Sequence, residues 1–358
     1  MNKINIITKF NRYKKYTFSL LYKILPDLKY IHSLRNKKLF QTIIKMNLDK
    51  LLENKILTGH KHFVTCLLKL NDYQIISGRC DFSIKLWDLL IGKCIKTIHG
   101  HSHFVSCLVK LNDYQIFSGS GDLSIKIWDL SNENCLKTLL GHKHFITCLI
   151  KFNNKQIISG SWDNLIKVWN YRTGDCIKTY TLHTNYILCL IKLNEKSIVT
   201  GSRDNTIKVV EINDCEIVSD LISDNIDNNK NNGSINIKTL SGHHSHVKCL
   251  LKLNGKDQIA SGSYDKTIKM WNLVDGKCIK TLMGHLDDVI CLLSINERTI
   301  ASGGYDKLIK IWNLISGSCL KTLSSHTNSV LCLIKLNEKQ IVSGSRDDTI
   351  IVWEYLIF

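Results

Sequence analysis

Residues 58–98 read TGHKHFVTCLLKLNDYQIISGRCDFSIKLWDLLIGKCIKTI, and variants of this 41-residue unit fill most of the chain. Tryptophans mark the unit at positions 87, 128, 169, 271, 312 and 353, in steps of 41 residues with one exception. The exceptional step of 102 residues divides into 41 and 61 if Val210 stands in for a tryptophan. Seven copies are therefore present, and about twenty extra residues follow the fourth.

Each unit contains four short runs rich in Val, Ile, Leu and aromatic residues. In the first unit these runs are FVTCLLKL, QIIS, SIKLWDL and CIKTI, with turn residues between them. The pattern predicts a four-stranded antiparallel sheet with two apolar faces. Because one such sheet cannot bury both faces, the copies are expected to stack radially into a closed ring.

The repeated Gly-His start, Ser-Gly-x-x-Asp centre and Trp-Asp, Trp-Asn or Trp-Glu end resemble the WD-repeat family, from about residue 59 to residue 358. The resemblance implies an all-β, seven-bladed β-propeller of four-stranded antiparallel blades. The last unit supplies three strands, which would leave an unpaired edge. We therefore expect residues 52–57, LENKIL, to complete the seventh blade beside residues 349–355.

A His, a hydroxyl, an Asp and a Trp recur in phase in the units. Seven copies argue against a hydrolase, because a catalytic site is built once. Hydrogen bonds that link the Asp carboxylate with the His ring, the His ring with the hydroxyl, and the hydroxyl with the indole N–H would satisfy all four groups on burial, and the resemblance implies the same network. The sets are His60, Ser77, Asp81, Trp87; His101, Ser118, Asp122, Trp128; His142, Ser159, Asp163, Trp169; His183, Thr200, Asp204; His243, Ser261, Asp265, Trp271; His285, Ser302, Asp306, Trp312; and His326, Ser343, Asp347, Trp353.

The fourth unit differs from the others in two ways. Val210 removes the indole donor, so Thr200 is expected to lose one partner at a cost of about 1 kcal/mol, and this blade is expected to be the least rigid. Residues 213–236 are rich in Asn, Asp and Ser and predict a polar loop inserted in blade four. A docking loop or a cleavable tip is the functional alternative to a plain connection.

Twelve of the 14 cysteines hold two positions of the unit, seven in the first strand and five in the last. Equivalent positions lie on different blades, so free thiols are expected, and these favour an intracellular, cytoplasmic protein. No phosphate loop, cofactor fingerprint or Cys-x-x-Cys occurs. His-x-His occurs three times, and we interpret the second histidines as solvated loop residues rather than metal ligands, so no cofactor and no metal ion are predicted. Lysines also repeat in phase, and we interpret them as charge spread around the rim.

Some positions vary between units and are expected to lie at one mouth of the ring. The resemblance implies a partner-binding face there, and loop aromatics and arginines are common interface anchors. We predict a protein or peptide partner with apolar side chains and negative charge, phosphorylation being left open. The alternative is that the Phe residues pack between neighbouring blades. The predicted partner-binding residues are Phe63, Phe104, Phe145, Tyr186, Trp162, Arg203, Tyr264, Tyr305 and Arg346.

Residues 1–48 lack the repeat and carry eleven basic residues against one acid, within a net charge of +17. They predict a basic arm, flexible or partly helical, ahead of a propeller formed by residues 49–358. A docking helix, an arm that targets anionic membranes or an organelle, and an F-box are alternatives for this segment. No apolar run is long enough for a transmembrane helix. The modestly basic propeller offers no concentrated phosphate track, which argues against nucleic-acid binding by that domain.

The sequence therefore predicts a non-catalytic protein-interaction scaffold, a monomeric propeller within a larger complex. Two other functional classes stay open. The chain could be the substrate-recognition subunit of a ubiquitin ligase if residues 1–48 bind an adaptor, or a nucleic-acid-associated factor acting through its basic arm.

Overall fold

The computed structural model describes residues 55–212, 236–253 and 257–354, and the regular elements in these ranges are all β-strands. Within them no helix is long and apolar enough to cross a membrane. The predicted basic arm, residues 1–48, lies outside the described residues. The same holds for the boundary between residues 48 and 49 and for all but the last residue of the predicted polar loop, 213–236.

The strands form seven four-stranded antiparallel sheets, as expected for the blades of a propeller. The first strand along the chain is β1 (Ile56–Leu57). Blades one to three comprise β2 (Val64–Asn71), β3 (Gln74–Arg79), β4 (Ile84–Asp88), β5 (Lys93–Ile98); β6 (Val105–Lys110), β7 (Gln115–Ser120), β8 (Ile125–Asp129), β9 (Cys135–Leu139); β10 (Ile146–Lys151), β11 (Gln156–Ser161), β12 (Leu165–Asn170), β13 (Cys176–Thr181). Blades four to six comprise β14 (Ile187–Lys192), β15 (Ser197–Ser202), β16 (Ile207–Glu211), β17 (Ile237–Leu240); β18 (Val247–Lys252), β19 (Gln258–Ser263), β20 (Ile268–Asn272), β21 (Cys278–Leu282); β22 (Val289–Asn296), β23 (Thr299–Gly304), β24 (Ile309–Asn313), β25 (Cys319–Leu323). Blade seven comprises β26 (Val330–Lys335), β27 (Gln340–Ser345), β28 (Ile350–Glu354) and β1.

The two ends of the described chain close the ring. Strand β1 pairs antiparallel with β28, with Ile56 opposite Ile351 and Leu57 opposite Ile350. The first strands of neighbouring blades contact each other all around the ring, including β2 of blade one and β26 of blade seven. The expected completion of blade seven is therefore confirmed for residues 56–57, and residues 52–54 lie outside the described ranges.

Apolar side chains are buried between neighbouring blades. Trp128 of blade two, for example, packs with Ile76 of blade one. Full burial of a large apolar side chain stabilises the fold by about 1.5–3 kcal/mol. The blades approach closely because the second strand carries glycine where the next blade touches it. A Cβ on Gly78 would lie only 2.8 Å from Cγ1 of Val105 in blade two.

Several of the phased lysines tether neighbouring blades, whereas Lys85 and its counterparts donate to a threonine of their own blade. Their interpretation as charge spread around the rim stays a prediction. Lys96 Nζ donates to the carbonyl oxygens of Leu130 (2.8 Å) and Ser131 (2.9 Å) in the following blade. In the first strands, Lys110 Nζ donates to the Leu70 carbonyl oxygen of the preceding blade at 2.8 Å. Equivalent bonds are made by Lys55, Lys137, Lys238 and Lys280 to the following blade and by Lys69, Lys151, Lys192, Lys252 and Lys335 to the preceding blade.

Blade four contains a compensating pair of substitutions. In five other blades a glycine with φ between +122° and +151° precedes the network His, and a Cβ there would lie 2.9–3.7 Å from Cη2 of that blade's tryptophan. Blade four has Leu182 in place of the glycine and Val210 in place of the tryptophan, and both join one apolar cluster. The larger residue at one position thus accompanies the smaller residue at the other. The expected low rigidity of this blade stays a prediction.

Candidate partner-binding site

A polar network within each blade supports the loops that carry the predicted partner-binding residues. In blade three, His142 Nδ1 lies 2.8 Å from Asp163 Oδ2, and His142 Nε2 lies 2.6 Å from Ser159 Oγ. The Trp169 indole N–H donates to the same Ser159 Oγ at 2.8 Å. Burial acts to raise the pKa of Asp163, but hydrogen bonds from His142 and the Lys143 N–H outweigh it and lower the pKa to about 2. Because every polar group has a partner, the network is a structural element rather than a free acid–base pair.

Blades two, five, six and seven repeat this network, and blade four repeats it without the indole. In these blades and blade three the His-to-Asp distances are 2.6–2.8 Å and the His-to-hydroxyl distances 2.6–2.7 Å. Thr200 Oγ1 lies 2.7 Å from His183 Nε2, while Val210 is fully buried and offers no hydrogen-bond donor.

Blade one departs from the network, and the expected bond between His60 and Asp81 is not formed. Arg79, only 1% exposed, replaces the small residue found there in other blades, and its Nη1 lies 2.5 Å from Asp81 Oδ2. The Asp81 carboxylate therefore pairs with the buried guanidinium of Arg79, and His60 Nδ1 has no hydrogen-bond partner. Burial, assisted by the charges of Arg79 and Lys85, lowers the pKa of His60 to about 2. The bonds from Ser77 to His60 (2.9 Å) and from Trp87 to Ser77 (2.8 Å) are retained.

Tight turns aim the varying side chains at the mouth. Asp163 Oδ1 accepts the Leu165 N–H at 3.0 Å, and the residue between them, Asn164, has a φ of +67°. The residue before each network Asp donates its N–H to the carbonyl oxygen of the residue three after the network His. Trp162 N–H donates to Phe145 O in this way at 3.0 Å, and the distance is 2.9–3.3 Å in all seven blades. Two varying positions therefore lie side by side in every blade.

Four of the predicted residues form a continuous row, which we call the aromatic crescent: Phe104, Phe145, Trp162 and Tyr186. Ring centroids are 5.2 Å apart for Phe104 and Phe145 and 5.2 Å apart for Phe145 and Trp162. Trp162 and Tyr186 stack at 4.9 Å with an interplanar angle of 8°. Each ring is half-buried. The rings of the crescent therefore pack between neighbouring blades, which was the alternative considered for the Phe residues. They also leave an apolar face open to solvent.

The predicted residues on the other side of the mouth are more polar. The ring centroids of Tyr264 and Tyr305 lie 6.0 Å apart with an interplanar angle of 42°. Burial, with the neighbouring Tyr264, raises the pKa of Tyr305 to about 12. Phe63 stands apart from the crescent, because the Arg346 guanidinium of blade seven covers its ring at 4.5 Å. The ninth predicted residue, Arg203, lies over the Tyr186 ring at 5.2 Å.

Lys248, in β18, is a candidate that sequence reasoning missed. Its charge acts on Cys148, Cys189 and Cys291, which belong to blades three, four and six, and on Tyr305. Only a group near the axis of the ring can reach so many blades, so Lys248 projects into the central channel. Within the described residues its ammonium has no hydrogen-bond or ion-pair partner. The available signal was a lysine at a position that is Thr, Ser, Leu or Ile in the other copies.

The first-strand cysteines are neutral thiols, and Cys66, for example, is buried beside Gly78 of its own blade and Val105 of the next. Burial raises the pKa of Cys66 to about 12 and acts in the same direction on the other six first-strand cysteines. The 13 described cysteines are all free. No group of three or more His, Cys, Asp or Glu side chains in the described part of the chain is arranged to hold a metal ion.

Two comparisons with known proteins bear on this architecture. A family model described as "WD domain, G-beta repeat" matches residues 52–88, 92–129, 133–170, 174–211, 234–272, 276–313 and 317–354. F-box/WD repeat-containing protein 7 of Drosophila melanogaster is 46% identical over 43 residues, which are 12% of this chain and 3% of that protein. The chain thus matches a small fraction of the relative's length, close to the length of one repeat.

Proposed function

The chain belongs to the WD40 repeat family, and on that premise we propose that it is a non-catalytic scaffold whose propeller mouth binds protein or peptide partners. The aromatic crescent is the observation that carries this proposal. Closure of the ring requires the buried tryptophans and the polar networks, but it does not require four touching rings that stay half-exposed. Aromatic side chains in such positions supply much of the binding energy of protein interfaces.

The charges around the crescent favour an acidic partner. Arg203 and Arg346 are exposed at the mouth, and Lys248 adds an unpaired ammonium in the channel. An apolar segment flanked by carboxylates or phosphates would match both features. The partner would lay its apolar side chains on blades two to four and its negative charge towards blades four, five and seven.

Affinity capture followed by quantitative mass spectrometry tests the proposal, with the full chain as bait. We expect the double variant Trp162→Ala, Arg203→Ala to lose its main partners by at least about tenfold, since these side chains act as anchors. Val274→Ala is the matched control, because Val274 is 71% exposed in the turn between β20 and β21, at the other end of a blade. Identical partners for the double variant and wild type would refute mouth binding.

Phosphatase treatment of the lysate distinguishes the two sources of negative charge. A partner held by phosphate groups is lost after treatment, whereas one held by Asp and Glu side chains is retained. Thermal unfolding of each bait checks that lost capture does not reflect a lost fold.

The match to an F-box/WD protein supports a second candidate, the substrate-recognition subunit of a ubiquitin ligase. The matched stretch has about the length of one repeat and carries no information about an F-box in residues 1–48. Deletion of residues 1–48 tests this candidate. If it is right, the deletion abolishes co-purification of ligase subunits while capture through the mouth persists.

A further inference from the structure

Arg203 and Arg346 occupy the same position in blades four and seven, directly before the network Asp. Each is held by the matching residue of the following blade, which lies three residues after the network His. For Arg203 this residue is His246 of blade five, and for Arg346 it is Phe63 of blade one. Arg203 therefore contacts a side chain that titrates, whereas Arg346 contacts a side chain that does not.

The contact between Arg203 and His246 requires a neutral imidazole. Arg203 Nε lies 3.2 Å from His246 Nε2, and His246 Nδ1 lies 3.0 Å from the carbonyl oxygen of Arg203. A guanidinium N–H can only donate, so Nε2 must accept, and the ring proton sits on Nδ1. A proton on Nε2 would remove the acceptor and bring two positive charges together.

We propose that His246 is a pH-operated positioning residue: its protonation releases Arg203 from the contact between blades four and five and makes it available to an anionic ligand at the mouth. Arg346, held by Phe63, keeps the same position at every pH. The inference rests on the proposed function, because it takes Arg203 as a contact for an acidic partner.

The surroundings of His246 favour the neutral form near neutral pH. Burial and the charge of Arg203 lower the pKa of His246, and a backbone contact to Arg203 opposes them in part. The Tyr264 ring lies 5.4 Å away on the same blade, and the Asn205 Oδ1 of blade four lies 3.3 Å from His246 Nδ1. The nearby charges of Asp288 and Lys248 act on Tyr264 and Tyr305 instead. The Arg203 contact is thus present above the folded-state pKa of His246 and is lost as the pH falls through it.

Nuclear magnetic resonance of the full chain, labelled at arginine and histidine, tests the device from about pH 8 to about pH 4.5. The Arg203 Nε–Hε signal should move with the same midpoint as the His246 ring, while the Arg346 signal should not follow it. In His246→Gln, which keeps an acceptor and cannot titrate in this range, the Arg203 signal should stay fixed. Phe63→His is the reciprocal variant and should make the Arg346 signal depend on pH.

Inorganic sulfate serves as the anionic probe, because its charge does not change over this range. Its affinity at the Arg203 signal should rise at least about threefold between about pH 7.5 and about pH 5 in wild type, but not in His246→Gln. An Arg203 signal that ignores the His246 titration, or equal sulfate affinity at both pH values, would overturn the inference. Neither result affects partner capture through the aromatic crescent at one fixed pH, so the two proposals fail separately.

Discussion

The two halves of the ring differ at the strand position that lines the channel. In blades one to three this position carries Thr65, Ser106 and Thr147, and each hydroxyl lies within hydrogen-bond distance of one carbonyl oxygen of its own blade and one of the next. Thr147 Oγ1, for instance, lies 3.0 Å from Gly160 O and 2.7 Å from Ile187 O of blade four. Blades four to seven have Leu188, Lys248, Ile290 and Leu331 there, and none of these side chains makes such a bridge.

A division shifted by one blade is found at the mouth. Blades two to four carry the aromatic crescent, whereas blades five and six carry the paired tyrosines and blade five carries the channel lysine. A ring of near-identical blades can therefore become asymmetric at its mouth, because the varying residues of the aromatic crescent do not take part in the polar networks. Blades two to four offer an apolar platform, and blades four, five and seven offer positive charge.

Removing the hydroxyl bridges should give the largest effect. The triple variant Thr65→Val, Ser106→Ala, Thr147→Val keeps the shape of the channel wall but leaves carbonyl oxygens with fewer donors. We expect the free energy of unfolding to fall by about 2–4 kcal/mol, at roughly 1 kcal/mol per bridge. Urea unfolding measures this. The control Leu188→Met, at the same position in the other half, should cost less than about 1.5 kcal/mol. Equal losses would mean that the two halves are held equally.

Blade one, where the two halves meet, should show an intermediate effect that depends on pH. Because the folded-state pKa of His60, about 2, lies below the ordinary value of 6.5, the unfolded chain binds the proton first. The contribution of His60 is therefore fully present above pH 6.5 and is lost as the pH falls towards about 2. We expect Arg79→Ser to let Asp81 bond to His60 and to reduce this acid sensitivity by about 1–2 kcal/mol between pH 7 and pH 5.

Urea unfolding at a series of pH values measures the Arg79→Ser effect. Arg346→Ser, which removes an exposed arginine at the neighbouring blade, should leave the pH profile of stability unchanged. Parallel profiles for wild type and Arg79→Ser would contradict this account of blade one.

The smallest change in stability is expected for Lys248→Met in the second half. The ammonium has no partner within the described residues, so the free energy of unfolding should change by less than about 1 kcal/mol. Binding of an acidic partner should weaken, and its dependence on salt should become shallower, because one positive charge is lost. Titration of a captured partner at two salt concentrations measures both. A large loss of stability would show that Lys248 stabilises the packing of the blades and is not a free charge in the channel.

The periodicity of the chain predicted most of the architecture and of the network. A 41-residue repeat with four apolar runs is a local property, and identical copies leave little choice of how to pack. The phase of the repeat also predicted which varying residues share one mouth, and Phe145 and Trp162 do lie side by side. Arg79 was overlooked because the repeat suggested a standard His60–Asp81 pair, and one buried guanidinium was enough to replace that pair.

The amino-acid sequence by itself determined the number of blades, their four strands and six of the seven polar sets, because these follow from spacing along the chain. Only the tertiary structure decided which side chains of different blades meet: Lys96 with the turn of the next blade, Arg203 with His246, Arg346 with Phe63, and Lys248 with the channel axis. The physical reason is that such contacts depend on the angle and distance between sheets. These are set by packing across the whole closed ring, and no single repeat contains that information.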